Sequence, residues 1–258
     1  MSGYLDELFG LRDKTALVTG GTSGIGRAIA LALGRAGANV VVLARGTEAL
    51  DGTVAELESH GCSAAAVAAD LSRGRAAIRE AAERAVLPFG EPDILVNSAG
   101  VNPRPHMDDL TDDHWDTSLA VNLDAPYVLG QRFGPAMAAR GWGRVLNIGS
   151  QQSFRAFFNS GAYGVSKAGV VALTRSQAEA WSSRGVTCNT LIPGFVITPL
   201  TAQASADPAF LAELAGRTFV GRNGLPADFP AAALFLTSPA ASFVTGQALF
   251  VDGGFSAH

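Results

Sequence analysis

Residues 17–26 read Leu-Val-Thr-Gly-Gly-Thr-Ser-Gly-Ile-Gly and join an apolar run to the start of an amphipathic stretch. Glycine permits positive φ and lets the backbone approach a bound group closely. The N–H groups that open the following helix favour an anion. The spacing of the motif glycines is wider than in the common G-x-G-x-x-G pattern. The segment predicts a phosphate-binding strand–loop–helix unit, to which we assign Gly20, Thr22, Ser23, Gly24, Ile25 and Gly26.

Further apolar runs follow this unit and alternate with Ala- and Leu-rich amphipathic stretches. The runs are continuous rather than alternating, which is typical of strands buried on both faces of a parallel sheet. We predict strands at residues 15–19, 39–44, 64–68, 93–97, 144–149, 186–192 and 248–251. We predict helices at residues 25–35, 47–59, 75–86, 112–139, 162–183 and 227–236. The alternation predicts a single-domain α/β fold, a Rossmann-like doubly wound parallel sheet of about seven strands with helices on both faces.

Composition narrows the class of protein. The 258 residues are 48% hydrophobic with a net charge of −4, which excludes extensive disorder and argues against a nucleic-acid partner. No apolar run reaches about 20 residues, so we expect no membrane span. Residues 1–11 lack a basic region, so we expect no signal peptide. The cysteines Cys62 and Cys188 are typical of intracellular thiols, so we expect a cytoplasmic protein. The histidines are scattered and predict no metal site.

The end of the second predicted strand bears on nucleotide choice. An acidic residue there accepts hydrogen bonds from the ribose 2′-OH of NAD. This chain has Ala44 followed by Arg45, with no carboxylate. Arginine suits a 2′-phosphate, so we expect NADP(H) to be favoured over NAD(H). The alternative is that Arg45 is a solvated residue at the end of the strand.

The third and fourth predicted strands also end in candidate cofactor residues. Asp70 follows the third strand and suits either an adenine amino group or a turn cap. Asn97, Ala99 and Gly100 end the fourth strand with mostly small residues. Ligands of open α/β sheets lie across such strand ends. We therefore assign these residues to the same nucleotide site.

Tyr163 and Lys167 are four residues apart in a predicted helix and share one face. Lys167 is one of only two lysines in the chain. A nearby ammonium favours the phenolate and lowers the pKa of a tyrosine. A tyrosine tuned in this way can protonate a carbonyl oxygen or deprotonate an alcohol.

Two further polar residues complete the catalytic set. Ser150 ends the fifth predicted strand, where its hydroxyl would hold a substrate oxygen. Asn122 stands in mid-helix, an unfavourable place unless its side chain has a specific partner. That partner is expected to be either a backbone carbonyl or a water that relays protons to Lys167.

The ordered set of motifs resembles the short-chain dehydrogenase/reductase family over nearly the whole chain. Within that family, residues 8–14 and the C-terminal tail are similar to gluconate 5-dehydrogenase-like and 3-oxoacyl carrier-protein reductase-like members. The resemblance implies hydride transfer from a nicotinamide, with Asn122, Ser150, Tyr163 and Lys167 as catalytic tetrad. It adds to the cofactor site Leu71, Tyr163, Lys167, Pro193, Gly194, Val196 and Thr198. It also implies a homotetramer. Two departures are Ser98, where an asparagine is usual, and Ser23, where some NADP-using relatives carry a basic residue.

Substrate residues are expected in three loops: residues 103–107, residues 151–158, and a lid at about residues 193–220. Candidates are Gln151, Gln152, Phe157 and Phe195. The polar pair after Ser150 favours a ketone-to-alcohol conversion on a small polar compound such as a sugar acid or polyol. The alternatives are a 3-oxoacyl thioester reductase and, in another class, a non-catalytic NADP-binding sensor.

Overall fold

The computed structural model describes residues 3–257. The strands in this range are β1 (Thr15–Thr19), β2 (Asn39–Ala44), β3 (Ala64–Ala68), β4 (Ile94–Asn97), β5 (Gly143–Ile148), β6 (Val186–Pro193) and β7 (Ala248–Val251). The helices are α1 (Tyr4–Phe9), α2 (Gly24–Arg35), α3 (Thr47–Ser59), α4 (Arg75–Ala85), α5 (Asp112–Leu119), α6 (Ala125–Ala139), α7 (Gly161–Trp181), α8 (Ala202–Ser205), α9 (Pro208–Gly216) and α10 (Pro230–Thr237). Together they form a single α/β domain with a Rossmann-like fold.

The strands form one parallel sheet in the order β3-β2-β1-β4-β5-β6-β7. In the centre Ala16 pairs with Val40 on one side and Ile94 on the other. The chain moves outward from β1 to β3 and then returns to β4 on the opposite side of β1. Ligands of such sheets bind beyond the carboxyl ends of the strands, at this reversal of direction. The topology thus places the site at the ends of β1 and β4.

The core lies on both faces of the sheet because successive strand side chains point to opposite faces. Leu17 of β1 packs with Leu129 and Phe133 of α6 on one face. Val18 packs with Ile29 and other residues of α2 on the opposite face. Burying a large aliphatic or aromatic side chain stabilises a fold by about 1.5–3 kcal/mol. Two such cores hold the central strand ends in place.

The predicted fold class is confirmed, and the predicted bounds of β1, β2, β3 and β7 match the structure. The prediction of a single helix at residues 112–139 is wrong in one respect. A π-helical turn, Ala120–Asp124, separates α5 from α6. Such turns insert an extra residue into an α-helix and often mark functional sites.

The segment after β6 was predicted as a lid at about residues 193–220. In the structure it contains the short helix α8 and then α9. Pro208 occupies the first position of α9, and the Asp207 carboxylate caps its first turn. None of the helices in residues 3–257 combines the length and apolar character that a membrane crossing needs.

Candidate active site

The loop between β1 and α2 is held against the end of β4 by the backbone. Gly20 has φ +66°, and a Cβ there would lie 2.7 Å from the Ala99 Cα. A side chain at Gly26 would overlap the carbonyl oxygen of Gly20. The Thr19 hydroxyl accepts hydrogen bonds from the Ser98 and Ala99 N–H groups, both at 3.1 Å. These contacts fix a cradle of bare backbone in front of the first turn of α2.

Two parts of one cleft meet at this cradle. One part is lined by Gly20, Ser23, Gly24, Ile25, Gly26, Gly100, Ser150, Tyr163, Lys167, Pro193, Gly194, Val196 and Thr198, among others. The other is lined by residues that include Thr22, Ser23, Arg45, Asp70, Leu71, Ala99 and Gly100. The structure therefore brings together all but two of the predicted cofactor and catalytic residues.

Asn97 is one of the two exceptions. It is buried, and its amide donates to Asn147 Oδ1 at 2.7 Å. Asn147 in turn donates to Thr174 and Gln177 of α7. The side chain thus lies within a buried polar network that ties β4 and β5 to α7, rather than among the residues that line the cleft.

The far end of the cleft contains Arg45 and Asp70. The Asp70 carboxylate accepts hydrogen bonds from the Ser72 N–H at 3.0 Å and from its hydroxyl at 2.7 Å. These bonds, with a smaller effect from Arg45, hold the pKa of Asp70 below its ordinary value. Arg45 is exposed at the cleft, within electrostatic range of Asp70. The predicted turn-cap role of Asp70 is therefore present, and a cation faces this end of the cleft.

At the other end, the Ser150 hydroxyl lies close enough to the Tyr163 phenol to favour the phenolate by hydrogen bonding. The Ser150 hydroxyl also accepts the Gln152 N–H at 3.1 Å, which leaves its own proton to donate. Burial raises the pKa of Tyr163, while the bond to Ser150 and the charge of Arg104 act in the opposite direction. The sequence predicted a pKa lowered by Lys167. That prediction is wrong for the free protein, because burial outweighs the charges around the phenol.

Lys167 is buried beneath the cleft. Its Nζ donates to the carbonyl oxygen of Ile148 at 2.7 Å and lies 5.8 Å from the centre of the Tyr163 ring. Burial disfavours the ammonium and lowers the pKa of Lys167 to about 8. The position that a Cβ of Gly100 would take lies 3.8 Å from this Nζ and 3.5 Å from Asn122 Oδ1. Glycine at this position therefore keeps the space in front of both groups open.

Asn122, the second exception, lies in the π-helical turn. Its amide donates to the Val101 carbonyl at 2.9 Å and to Ser166 Oγ at 3.0 Å. Its Oδ1 accepts the Val101 N–H at 2.9 Å. Of the two predicted partners, the structure shows the backbone carbonyl. The turn thereby joins the strand-end segment at Val101 to the helix that carries Tyr163.

The four predicted substrate residues are not among the described residues that line the part of the cleft containing Ser150 and Tyr163. Gln151 is buried, and Gln152 Oε1 accepts the Ser160 hydroxyl at 2.7 Å. Phe157 lies under the guanidinium of Arg104, with 5.9 Å between that group and the ring centre. Phe195 packs edge-to-face against a ring of α9 and lines a separate cavity behind the cleft.

Sequence reasoning missed three residues that act on the site. Arg104 influences the phenol of Tyr163, although the loop at 103–107 was predicted to face the substrate. Ser153 Oγ accepts the Ser150 N–H at 3.3 Å and donates to the Lys167 carbonyl at 2.8 Å. Ser166 accepts from Asn122 and donates to the Tyr163 carbonyl. The signal for Ser153 is its position three residues after Ser150, which is typical of a capping box.

Within the described residues, no group of His, Cys, Asp and Glu is placed to hold a metal ion.

Comparisons with known proteins agree with this geometry. A family model described as enoyl-(acyl carrier protein) reductase matches residues 20–256. The chain is 37% identical to gluconate 5-dehydrogenase of Gluconobacter oxydans, over 97% of each protein. It is 42% identical to the L-tagatose-forming galactitol 2-dehydrogenase of Cereibacter sphaeroides, over 96% of this chain and 97% of that protein.

A solved structure extends the comparison to a bound cofactor. The gluconate 5-dehydrogenase of Burkholderia cenocepacia, in complex with NADP and tartrate, superposes with a TM-score of 0.93. It is 35% identical, covering 99% of this chain and 100% of that one. The chain belongs to the short-chain dehydrogenase/reductase family and is an oxidoreductase of that family.

Proposed function

We propose that this protein is an NADP(H)-preferring oxidoreductase that interconverts a ketone and a secondary alcohol on a sugar acid or polyol, with Tyr163 as the acid/base. The observation that carries the proposal is that Ser150, Tyr163 and Lys167 line the same cleft as the glycine cradle. The relatives named for gluconate and galactitol support the substrate class.

The residues of the cleft fit a dinucleotide. Side chains are excluded at Gly20 and Gly26, so the backbone N–H groups at the start of α2 are accessible to a pyrophosphate. Arg45 supplies a cation where a 2′-phosphate would lie, and the B. cenocepacia relative binds NADP. The bound cofactor supplies the hydride. Asp70, Leu71, Asn97 and the segment 193–198 remain proposed contacts.

The protein's own side chains supply the proton that the substrate oxygen receives. In the reducing direction, Tyr163 gives its phenolic proton to the carbonyl oxygen that becomes the hydroxyl, and is left as the phenolate. The raised pKa of the buried phenol keeps that proton available at neutral pH. Ser150 directs its free O–H at the same oxygen, and the ammonium of Lys167 stabilises the phenolate until solvent returns a proton. Asn122 holds the Val101 backbone in place through its hydrogen bond to the Val101 carbonyl.

Arg104 supports a substrate with a carboxylate. The charge of its guanidinium is close enough to Tyr163 to influence the phenol, and its hydrogen bond to the Phe158 carbonyl, at 3.2 Å, uses only one of its donors. A free guanidinium face pairs well with a carboxylate. Arg104→Gln should raise the KM for a keto sugar acid about tenfold and leave the KM for a neutral ketose nearly unchanged. Equal changes for both substrates would remove the argument for a sugar acid.

The second candidate is a 3-oxoacyl thioester reductase, which the description of the matching family model favours. Initial rates of NADPH and NADH oxidation, measured with keto sugar acids, keto polyols and a β-ketoacyl thioester, distinguish the two. Turnover confined to the thioester would replace the sugar-acid proposal.

We also propose a homotetramer. The edge strand β7 exposes Leu249 and Phe250, and the nearby Phe243 is fully exposed. Exposed apolar clusters of this kind are typical of subunit interfaces. Light scattering after gel filtration tests the mass. A monomeric mass at micromolar protein concentration would reject this part of the proposal. A cytoplasmic location stays a prediction.

A further inference from the structure

The segment that follows β7, residues 252–257, is built as a rigid turn. The two carboxylate oxygens of Asp252 accept hydrogen bonds from the Gly254 N–H at 3.0 Å and the Ser256 N–H at 2.8 Å. Gly253 and Gly254 both have positive φ, which this turn requires. Phe255 is only 2% exposed. The turn therefore presents one buried aromatic ring in a fixed place.

That ring lies against two arginines from different parts of the chain. The guanidinium of Arg217 lies 4.4 Å from the centre of the Phe255 ring, and that of Arg155 lies 6.0 Å from it. Arg155 also donates to the carbonyl oxygens of Phe255, at 3.4 Å, and Ser256, at 2.7 Å. Cations over an aromatic face contribute more when they are desolvated. Phe255 thus contacts two elements that are far apart in the sequence, the loop that carries Arg155 and the segment that carries Arg217.

Arg155 belongs to the loop at residues 151–160, which includes the predicted substrate loop at residues 151–158. This loop starts directly after Ser150 and ends directly before Gly161, the first residue of α7, the helix that carries Tyr163. Within it, the Gln152 side chain accepts the Ser160 hydroxyl. A shift of Arg155 would therefore be transmitted to both ends of the loop.

Arg217 lies within residues 193–220, the segment predicted to form a lid. It directly follows α9, whose Phe210 packs edge-to-face on Phe195 with 6.0 Å between the ring centres. Phe195 stands between Gly194 and Val196, both of which line the cleft. The Val220 N–H also donates to the carbonyl of Gly253 at 3.2 Å. The turn after β7 therefore contacts the lid through both its ring and its backbone.

We propose that residues 252–257 form a clasp that fixes the loop at 151–160 relative to the lid, and so positions the substrate against Ser150 and Tyr163. The clasp touches none of the residues of the glycine cradle, and its one neighbour among the predicted cofactor residues is Gly194, against which Asp252 packs. We therefore expect its effect to fall on the substrate more than on the cofactor. Its part in substrate positioning rests on the proposed function. Its part in joining the loop to the lid does not.

Hydrogen exchange of the free protein tests the coupling directly. Arg155→Ala removes one arm of the clasp from within the loop. We expect faster exchange not only in residues 151–160 but also in residues 208–224, although the hydrogen bonds of the Arg155 side chain go to Phe255 and Ser256. Arg79→Ala, at an exposed arginine of α4 whose side chain makes no hydrogen bond or ion pair within the described residues, serves as the matched control and should change neither region. Faster exchange confined to residues 151–160 and 252–257 would overturn the coupling.

Kinetics test the positioning. Arg155→Ala should raise the KM for the ketone about tenfold, since small displacements at a site cost up to about a hundredfold in rate. The dissociation constant of NADPH should stay within about twofold. Arg155→Lys, which keeps the charge and one donor, should recover part of the loss. A loss of kcat with NADPH affinity falling in parallel would reject a positioning role.

Phe255→Leu provides a second variant that keeps an apolar side chain in the buried place but removes the aromatic face. It should reproduce the exchange pattern of Arg155→Ala, and an unchanged exchange pattern in the lid would count against the clasp. If the wild-type protein turns over no sugar acid or polyol, the proposed function fails. The exchange experiment still decides the clasp.

Discussion

The glycine loop at residues 20–26 and the loop at residues 151–160 are held in different ways. The first lines the cleft and is fixed by backbone: Gly20 rests against Ala99, and a side chain at Gly26 has no room. The second runs between Ser150 and α7 and is held by side-chain bonds to two other segments: Arg104 donates to the Phe158 carbonyl, and Arg155 donates to the Ser256 carbonyl.

The two loops also differ in strain and exposure. Asn159, in the second loop, has φ 54°, a conformation that non-glycine residues rarely adopt. Phe158 beside it is 75% exposed. A backbone-built cradle recognises what is common to all dinucleotides, whereas a loop held by exchangeable side chains can change its specificity without losing the fold. Under the proposed function, this difference separates the part of the site that sets the reaction from the part that sets the substrate.

The largest effect should come from Tyr163→Phe, at the junction of the two regions. Turnover should fall by about a thousandfold because the proton donor is lost. The affinity for NADPH should be almost unchanged, since the glycine cradle is untouched. Steady-state rates and a fluorescence titration with NADPH check both. A variant that keeps its turnover would place the acid/base elsewhere, and a wild type that binds NADPH without turnover would favour the sensor.

The burial of Lys167 should appear as a pH dependence of stability. Its pKa is lowered from 10.5 to about 8, so the native state loses a proton that the unfolded chain keeps between these values. The cost of burying the charge is therefore fully present below about pH 8 and disappears as the pH rises toward 10.5. Relative to Lys167→Met, the wild-type protein should gain up to about 3 kcal/mol over this window. Denaturant unfolding of both proteins from pH 7.5 to 10.5 measures the difference, and a constant difference would contradict the pKa.

Gly26→Ala tests the backbone-built region. The methyl group would overlap the Gly20 carbonyl, so the cradle must open. We expect the dissociation constant of NADPH to rise about a hundredfold and the Tm to fall. Gly52→Ala is the matched control, because Gly52 lies in α3 with no atom within 4 Å of a Cβ. That variant should gain about 0.5–1 kcal/mol in stability with unchanged NADPH binding. Equal behaviour of the two variants would refute the tight fit.

Arg45→Asp should have the smallest effect, because Arg45 is exposed and its interactions are screened by solvent. The ratio of kcat/KM for NADPH to that for NADH should fall about tenfold, since a carboxylate repels the 2′-phosphate and accepts from a 2′-OH. Arg45→Lys should retain most of the preference. An unchanged ratio in Arg45→Asp would show that another group holds the phosphate.

The sequence was sufficient for the features that depend on local pattern. Continuous apolar runs gave the exact bounds of β1 and β2, and the glycine spacing located the cradle. The π-helical turn was not predictable from periodicity, because one extra residue barely changes the apolar pattern. What marked the place was Asn122, whose buried bonds to Val101 stabilise the turn.

The substrate region was the least predictable because its geometry depends on contacts between distant segments. Arg155 lies in a loop that was predicted to contact the substrate, yet it is bound to a carbonyl about a hundred positions along the chain. Phe195 was assigned to the substrate, yet its ring packs against Phe210 of α9. The predicted direction of the pKa shift of Tyr163 was wrong for the same reason, because burial is a property of the whole fold.

The initial rate of NADPH oxidation with 5-ketogluconate, measured for the wild-type protein and Tyr163→Phe in parallel, tests the central claim most directly. The account predicts turnover by the wild-type protein, slower turnover with NADH, and almost none by the variant despite intact NADPH binding. Turnover by the wild type with a β-ketoacyl thioester alone, or equal rates for the two proteins, would contradict it.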